Sequence, residues 1–233
     1  MRWSALGIIM LVAAGAIAQD PDPRYVIHIE VDRPVLEPGQ STEVRLAAGF
    51  NKDEFACMAG VAGRLRTSVG SEGFHGHALV APMTGPGTEP GVPTDTGFSG
   101  IIAGQLSGLG GTMGDPSDPI TYWRVDYTAP IEATDQTVSL ETATLRYEMY
   151  TEICYGCVHS ESRIGELIEG AATIRVVACR ADFNEDGATD IFDFLAFMNA
   201  FDAGDPLADF DFDGALTVFD FLAFQNRFDQ GCS

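Results

Sequence analysis

The stretch Asp182-Phe-Asn-Glu-Asp-Gly-Ala-Thr-Asp-Ile-Phe-Asp-Phe-Leu-Ala-Phe-Met-Asn-Ala-Phe201 recurs as Asp209-Phe-Asp-Phe-Asp-Gly-Ala-Leu-Thr-Val-Phe-Asp-Phe-Leu-Ala-Phe-Gln-Asn-Arg-Phe228. Thirteen of the twenty aligned positions are identical and the offset is 209 − 182 = 27 residues. Self-similarity at a fixed period marks two copies of one structural unit. Within each copy Phe194, Phe197 and Phe201, or Phe221, Phe224 and Phe228, fall at i, i+3 and i+7. That spacing is one stripe of an α-helix, so the two copies predict two helices that pack stripe against stripe. Eleven of the fifteen phenylalanines lie in residues 179–233, which supplies the apolar surface for that contact.

Ahead of each stripe stand oxygen-bearing residues at loop positions 1, 3, 5, 9 and 12, with Gly at position 6. The first copy offers Asp182, Asn184, Asp186, Asp190 and Asp193 around Gly187; the second offers Asp209, Asp211, Asp213, Thr217 and Asp220 around Gly214. An EF-hand-type loop wraps Ca²⁺ by this spacing, because a hard cation takes about six to eight oxygens at roughly 2.4 Å. Alternate side chains converge on one point only if a residue able to adopt positive φ permits the sharp turn. Position 7, Ala188 or Ala215, contributes its backbone carbonyl. Two calcium ions are therefore expected, each among four carboxylates. Residues 179–233 hold twelve acids and two arginines, a net charge of −10, so cation binding should supply much of the folding free energy of this segment.

The segment from Cys179 to Cys232 resembles a type I dockerin module, with two calcium loops each followed by a helix and no helix before the loop. Its terminal Gly231-Cys232 resembles the GC-type subgroup, found at the C-terminus of exported bacterial proteins. Asp193 and Asp220 at position 12 agree with the family. Thr189 departs from the aliphatic residue it carries at position 8, where Leu216 conforms. The resemblance implies a cohesin-like protein or surface scaffold as partner, met by loop-and-helix positions 10, 11, 17 and 18. Here these are Ile191, Phe192, Met198 and Asn199, and Val218, Phe219, Gln225 and Asn226. Phe192 and Phe219 lie off the helical stripe, so they either form an exposed apolar patch of the kind that marks a binding site, or are covered by the disulfide or the neighbouring domain. The likeness of the copies allows a partner to grip either helix after a half-turn of the module.

Working outward, the 233-residue chain carries 34 acidic and 13 basic residues, a formal charge of −21, which excludes nucleic acid as a partner. Residues 1–18 read as a secretory signal: Arg2, an apolar run from Ala5 to Ala14, then Ala16-Ile17-Ala18 before Gln19. The run is too short for a bilayer span of about 20 residues, so the mature chain is expected to be secreted or at the cell surface with no transmembrane span. Residues 19–24 form a short linker. All five cysteines lie beyond the signal, in a compartment where disulfides persist. Cys179 and Cys232 bracket the repeat and are expected to pair. Cys57, Cys154 and Cys157 remain, and because five is odd one thiol is left over or pairs between chains.

Residues 25–178 read as strands. Tyr25, Ile27, Ile29 and Val31 alternate along one face, as do Val44, Leu46, Ala48 and Phe50, with the turn signal Glu37-Pro38-Gly39-Gln40 between them. Tyr122–Tyr127, Thr137–Leu140, Ala143–Tyr150 and Ala172–Val177 follow. The fold class expected is mainly β: an antiparallel, Ig-like or loosely cohesin-like β-sandwich over 25–178, followed by a two-helix, two-calcium-loop module over 179–233. Gly70–Pro119, rich in Gly and Pro, is expected to form long loops.

Chemistry in this body is sparse. His75-Gly-His77 on one strand face, with Cys154-x-x-Cys157-x-His159, would supply metal ligands, but a polar loop and an ordinary disulfide explain the same residues. Glu30, Asp32, Asp126, Glu141 and Glu148 fall at outward strand positions rather than across a cleft, as glycoside hydrolysis requires. No serine-nucleophile motif or phosphate loop occurs in the sequence. The expectation is a non-enzymatic docking protein. The alternative is a polysaccharide-binding or polysaccharide-acting protein whose sandwich does the work, with Trp123 beside Tyr122, Tyr127, Tyr147 and Tyr150 as a sugar platform unless these pack in the core.

Overall fold

The computed structural model describes residues 25–51, 57–104, 119–132, 135–150 and 160–232. The expected signal, the linker, Cys154, Cys157 and His159 lie outside the described residues, and so does the side chain of Cys57.

Among the described residues, ten strands build two sheets. One has four strands in the order β1 (Tyr25–Val31), β3 (Ser41–Phe50), β8 (Ile120–Thr128), β5 (Phe74–Leu79), all antiparallel. The other has six, in the order β2 (Val35–Leu36), β10 (Ser160–Val176), β9 (Gln136–Tyr150), β4 (Cys57–Thr67), β7 (Gly97–Gly104), β6 (Glu89–Thr94). Among the described strands, only the short β2 runs parallel to a neighbour, β10. Alternation sets the faces: Tyr25 and Ile27 of β1 and Val44, Leu46, Ala48 and Phe50 of β3 are buried, while Glu30, Glu43 and Arg45 point out. Across the layer gap Tyr25 stacks on Tyr147 with ring centroids 4.6 Å apart, and Phe98 meets Trp123 edge-on at 5.2 Å. Burying each such side chain stabilises the sandwich by roughly 2–3 kcal/mol.

The expected long loops over Gly70–Pro119 are not what forms: β5, β6 and β7 occupy much of that range. Pro90 and Pro93 hid β6, which lies at the end of the six-stranded sheet, where a missing N–H is tolerated. Gly97 adopts φ +121° and a Cβ there would sit 2.1 Å from the Leu65 carbonyl oxygen, so the residue that looks like a loop former permits close strand pairing. Strand β4 also went unread. Its Met-Ala-Gly-Val-Ala-Gly run lacks alternation because Gly63 lies where a Cβ would meet the Ala143 carbonyl oxygen at 2.8 Å. Thr137–Leu140 and Ala143–Tyr150, expected as two strands, are one strand, β9, paired along β10 through two register shifts.

After β10 the chain stays on the sandwich, Val177 N–H donating to the Leu36 carbonyl at 2.9 Å, Ala178 N–H to Asp135 Oδ1 at 3.3 Å and Arg180 N–H to Glu37 Oε1 at 2.8 Å. It then forms α1 (Ile191–Ala203), a 3-10 turn at Pro206–Ala208 and α2 (Val218–Gln230). The helix stripes meet as expected. Phe197 lies parallel to Phe224 with centroids 4.2 Å apart, both fully buried, and Phe194 meets Phe221 edge-on at 6.1 Å. Equivalent residues of the two copies thus face each other, as an internal two-fold requires. Cys179 and Cys232 form a disulfide across a 53-residue separation, with Cα atoms 5.5 Å apart. Among the described residues no helix is long and apolar enough to cross a membrane.

Trp123 is fully buried and its indole N–H donates to the Pro90 carbonyl at 2.8 Å. Trp123→Ala should therefore cost about 3–5 kcal/mol, measured by denaturant unfolding; a cost under about 1 kcal/mol would contradict its place between the sheets.

Candidate cation loops and docking face

Each loop is a turn closed by its own carboxylates. In the first, Gly187 N–H donates to Asp182 Oδ2 at 2.8 Å, Asp186 N–H to Asp182 Oδ1 and to Asn184 Oδ1, both at 3.0 Å, and Ala188 N–H to Asp186 Oδ1 at 2.9 Å. The second repeats the plan: Gly214 N–H to Asp209 Oδ2 at 2.9 Å, Asp213 N–H to Asp211 Oδ1 at 3.1 Å, Ala215 N–H to Asp213 Oδ1 at 2.8 Å. Gly187 and Gly214 take positive φ, 88° and 84°. Position 4 does so as well with non-glycine residues, Glu185 at 61° and Phe212 at 63°.

Position 12 couples loop to helix. Asp190 and Thr217 cap α1 and α2, accepting from Phe192 N–H at 2.8 Å and Phe219 N–H at 3.1 Å. Asp193 and Asp220 complete the capping boxes by accepting from Asp190 N–H and Thr217 N–H, both at 2.8 Å. The same two carboxylates reach back to the loops: Asp193 Oδ1 accepts from Asn184 N–H at 3.1 Å, and Asp220 Oδ1 from Phe210 N–H at 2.7 Å and Asp211 N–H at 3.1 Å. Both are fully buried. Burial pushes the Asp220 carboxyl up, but the backbone donors of Thr217, Asp211 and Phe210 outweigh it and hold the group below the ordinary carboxylate range. Each oxygen has about two lone-pair directions, so the oxygens that accept a single N–H keep capacity for a cation.

Donor chemistry separates the loops. In loop 2, carboxylate oxygens of Asp209, Asp211 and Asp213 lie within 4.8 Å of one another. Asp209 Oδ1 is buried with no hydrogen-bond partner. Asp211 is shifted upward, first by desolvation and then by Asp220, Asp213 and Asp209, against the N–H of Asp213. Converging carboxylates with an orphaned buried oxygen suit a divalent cation, which would satisfy that oxygen and offset the repulsion. In loop 1, Asn184 replaces the third carboxylate and its amide donates to Asp186 Oδ2 at 3.0 Å, so more of that loop's oxygens are spent internally.

The partner positions carried over by resemblance are at the surface. Ile191, Phe192 and Met198 on α1, and Val218 and Phe219 on α2, are exposed, Phe192 and Phe219 by 61% and 63%. Asn199, Gln225 and Asn226 are exposed as well. Neither the disulfide nor the sandwich covers the two phenylalanines. Leu195 and Leu222, not singled out by the sequence reading, are exposed one turn further along and extend each patch into an apolar strip at i, i+1, i+4. Their identical spacing in the two copies was the available signal.

The other sequence candidates are not gathered into a site. His75 is exposed, whereas His77 turns inward against Phe98 and Trp123 with its Nε2 3.2 Å from the Gly91 carbonyl. A register shift between His75 and Ala78 separates them. Tyr122, Trp123, Tyr127 and Tyr147 are all buried core residues, which removes them as a sugar platform; the side chain of Tyr150 lies outside the described residues. Glu30 and Asp32 pair with Arg45 at 3.1 and 2.6 Å, and Glu141 and Glu148 pair with Arg66 and Arg146 at 3.9 Å.

Sequence reasoning also missed Glu37, Arg180 and Arg227, which meet where the helical module joins the sandwich. The separations, 143 and 190 residues, leave no local signal.

No family model matches the chain, and no curated protein matches it. Solved structures are similar to part of it. A cohesin module from the family 33 glycoside hydrolase of Clostridium perfringens is 13% identical with a TM-score of 0.40, over 67% of this chain and 98% of that one. A type I cohesin–dockerin complex from Clostridium thermocellum contains a chain 12% identical with a TM-score of 0.40, over 65% of this chain and 99% of that one. The seventh ScaB type I cohesin of Pseudobacteroides cellulosolvens is 9% identical with a TM-score of 0.40, over 65% and 92%. These values assign no family, and the architecture stands on the strand pairing and burial described above.

In chelator the helical contribution to the far-ultraviolet circular dichroism of the full chain should fall and return with Ca²⁺. Asp209→Ala should weaken one of two calorimetric sites by roughly tenfold or more. A spectrum and a titration both indifferent to chelator and substitution would refute the loops as cation sites.

Proposed function

We propose that the chain is an exported docking protein whose C-terminal module, loaded with two calcium ions, holds a cohesin-like partner or surface scaffold against the apolar strips of α1 and α2. One observation supports this above the rest: Phe192 and Phe219, twinned by the repeat, stand exposed one residue ahead of the buried carboxylates Asp193 and Asp220. A cation drawn to the position-12 carboxylate therefore sets the backbone on which the exposed ring is mounted. Exposed apolar side chains repeated at the same position of two copies are costly for solubility and fit a surface that is covered in use.

In this reading the module is an adaptor rather than a catalyst, and the sandwich is the cargo or platform that it positions. The disulfide fits an extracellular protein. The polysaccharide alternative is the weaker one because its aromatic platform is consumed by the core.

The test is capture of secreted and envelope proteins by the full chain, with Ca²⁺ and with chelator, beside the double variant Phe192→Ala and Phe219→Ala. Capture of a defined β-sandwich protein only with Ca²⁺, lost in the double variant while calcium binding persists, is the expected result. Tight calcium binding with no captured protein would make the module a stabiliser or tether and overturn the docking role.

A further inference from the structure

The turn Glu37-Pro38-Gly39-Gln40 joins β2 to β3 at the end of the sandwich nearest the helical module. Its glutamate is only 9% exposed. The carboxylate accepts from the backbone N–H of Arg180 at 2.8 Å, from Arg227 Nε at 2.8 Å to Oε1 and 3.1 Å to Oε2, and from Gln40 Nε2 at 3.2 Å. Gln40 in turn accepts from Glu37 N–H at 3.1 Å, and Gly39 N–H donates to the Ala129 carbonyl at 3.0 Å, so the turn is itself held. One carboxylate thus gathers a donor from the start of the module and another from the last turn of α2.

From Arg180 the contacts continue into loop 2. Its guanidinium lies over the ring of Phe210, 3.8 Å from the centroid, and over that of Phe212 at 4.2 Å, and its Nη1 donates to the Phe210 carbonyl at 3.0 Å. Burial pushes this guanidinium down to about 10, against the pull of Glu37 and Asp209. Phe210 and Phe212 alternate with the ligand candidates Asp209, Asp211 and Asp213. Among the described residues, Phe212 is one of two non-glycine residues at positive φ, a conformation that persists only where surroundings hold it. Loop 1 receives a different contact at the corresponding position, an ion pair of Glu185 with Arg175 of β10, and meets Glu37 only through the Arg180 N–H, two residues ahead of Asp182.

We infer that Glu37 is a positioning residue for the second cation loop: by seating Arg180 and Arg227 it fixes the backbone of Phe210–Phe212, so that cation binding in loop 2 and docking of the module on the sandwich are one coupled equilibrium. The inference rests on the cation reading of the loops and adds a residue 172 positions ahead of the loop, 209 − 37 = 172, to its determinants. Two effects give it its direction. Removing the charge of this buried carboxylate leaves the Arg227 guanidinium without its counter-ion and weakens the acceptor of the Arg180 N–H, the bond that sets where the Arg180 side chain reaches Phe210. Linkage is reciprocal, so what loosens the joint weakens the cation and what removes the cation loosens the joint.

Calcium titration of the full chain by calorimetry provides the test, with Asp182→Ala and Asp209→Ala assigning the two sites. Glu37→Gln should weaken the loop 2 site by about tenfold and leave loop 1 within about twofold, and Arg227→Ala should act in the same direction. An unchanged loop 2 affinity, or an equal fall at both loops, overturns the inference; the latter would mean general loosening. A wild-type chain that takes no calcium at loop 2 overturns this inference and the cation reading together, which distinguishes the two failures. Amide exchange at the Arg180 N–H supplies a second readout. Exchange slowed by Ca²⁺ in the wild type and not in Glu37→Gln is expected, and a rate indifferent to Ca²⁺ in the wild type counts against the coupling.

Discussion

Repulsion among carboxylates confined to a short loop is the constraint on which residues 179–233 turn. The repeat places four acids at the ligand positions of each loop, three of which converge in loop 2, and the structure answers first with backbone N–H groups: Asp182, Asp186, Asp209 and Asp213 each accept a hydrogen bond from a peptide N–H of their own loop. Those bonds fix which way each carboxylate faces. They do not remove the charge, and Asp209 Oδ1 is left buried without a partner. A hard cation at that point would satisfy the orphaned oxygen and offset the repulsion of the three converging carboxylates of loop 2.

Position 12 carries the consequence outward. Asp193 and Asp220 are at once the last loop position and the third residue of a helix, closing a capping box with one oxygen and the loop with the other. Helix and loop therefore cannot form independently. The core they share is small, four buried residues with a rim of half-buried phenylalanines, and a core of that size seldom stabilises a module alone. The Cys179–Cys232 disulfide closes its ends, and the Glu37 contacts set one side of it against the sandwich.

How much of this was legible depended on whether the determinant was local. Loops and helices follow from residues within one 27-residue period, the stripe contact and the disulfide from the pair of copies and its borders, and alternation disclosed β1 and β3. The strands that escaped are those where sheet geometry overrides local preference. Gly97 and Gly63 look like punctuation in the sequence, yet each sits where a neighbouring strand's carbonyl leaves no room for a Cβ; Pro90 and Pro93 are admissible only because β6 is an edge. Trp123 and its tyrosine neighbours could be read as platform or core, and only the second sheet decides for core. The Glu37 joint is wholly non-local, since its partners are specified by how the two folded parts meet.

That joint also qualifies the symmetry of the repeat. The two copies present nearly equal strips, with Ile191, Phe192 and Leu195 on one helix and Val218, Phe219 and Leu222 on the other, all exposed. Judged from the copies alone, a partner has two equivalent grips. The position that breaks the equivalence is Arg227, whose counterpart 27 residues earlier is Ala200. Because Arg227 is bound to Glu37 and to the Gly231 carbonyl, the last turn of α2 is anchored to the sandwich, whereas α1 has no such arginine. A partner gripping α1 meets a helix held by its loop and the phenylalanine core, and one gripping α2 meets a helix held also by the body of the protein. Two surfaces of like composition thus differ in rigidity, and with ordering entropy a substantial cost of association, the helix already fixed is the one that a partner engages at the smaller cost.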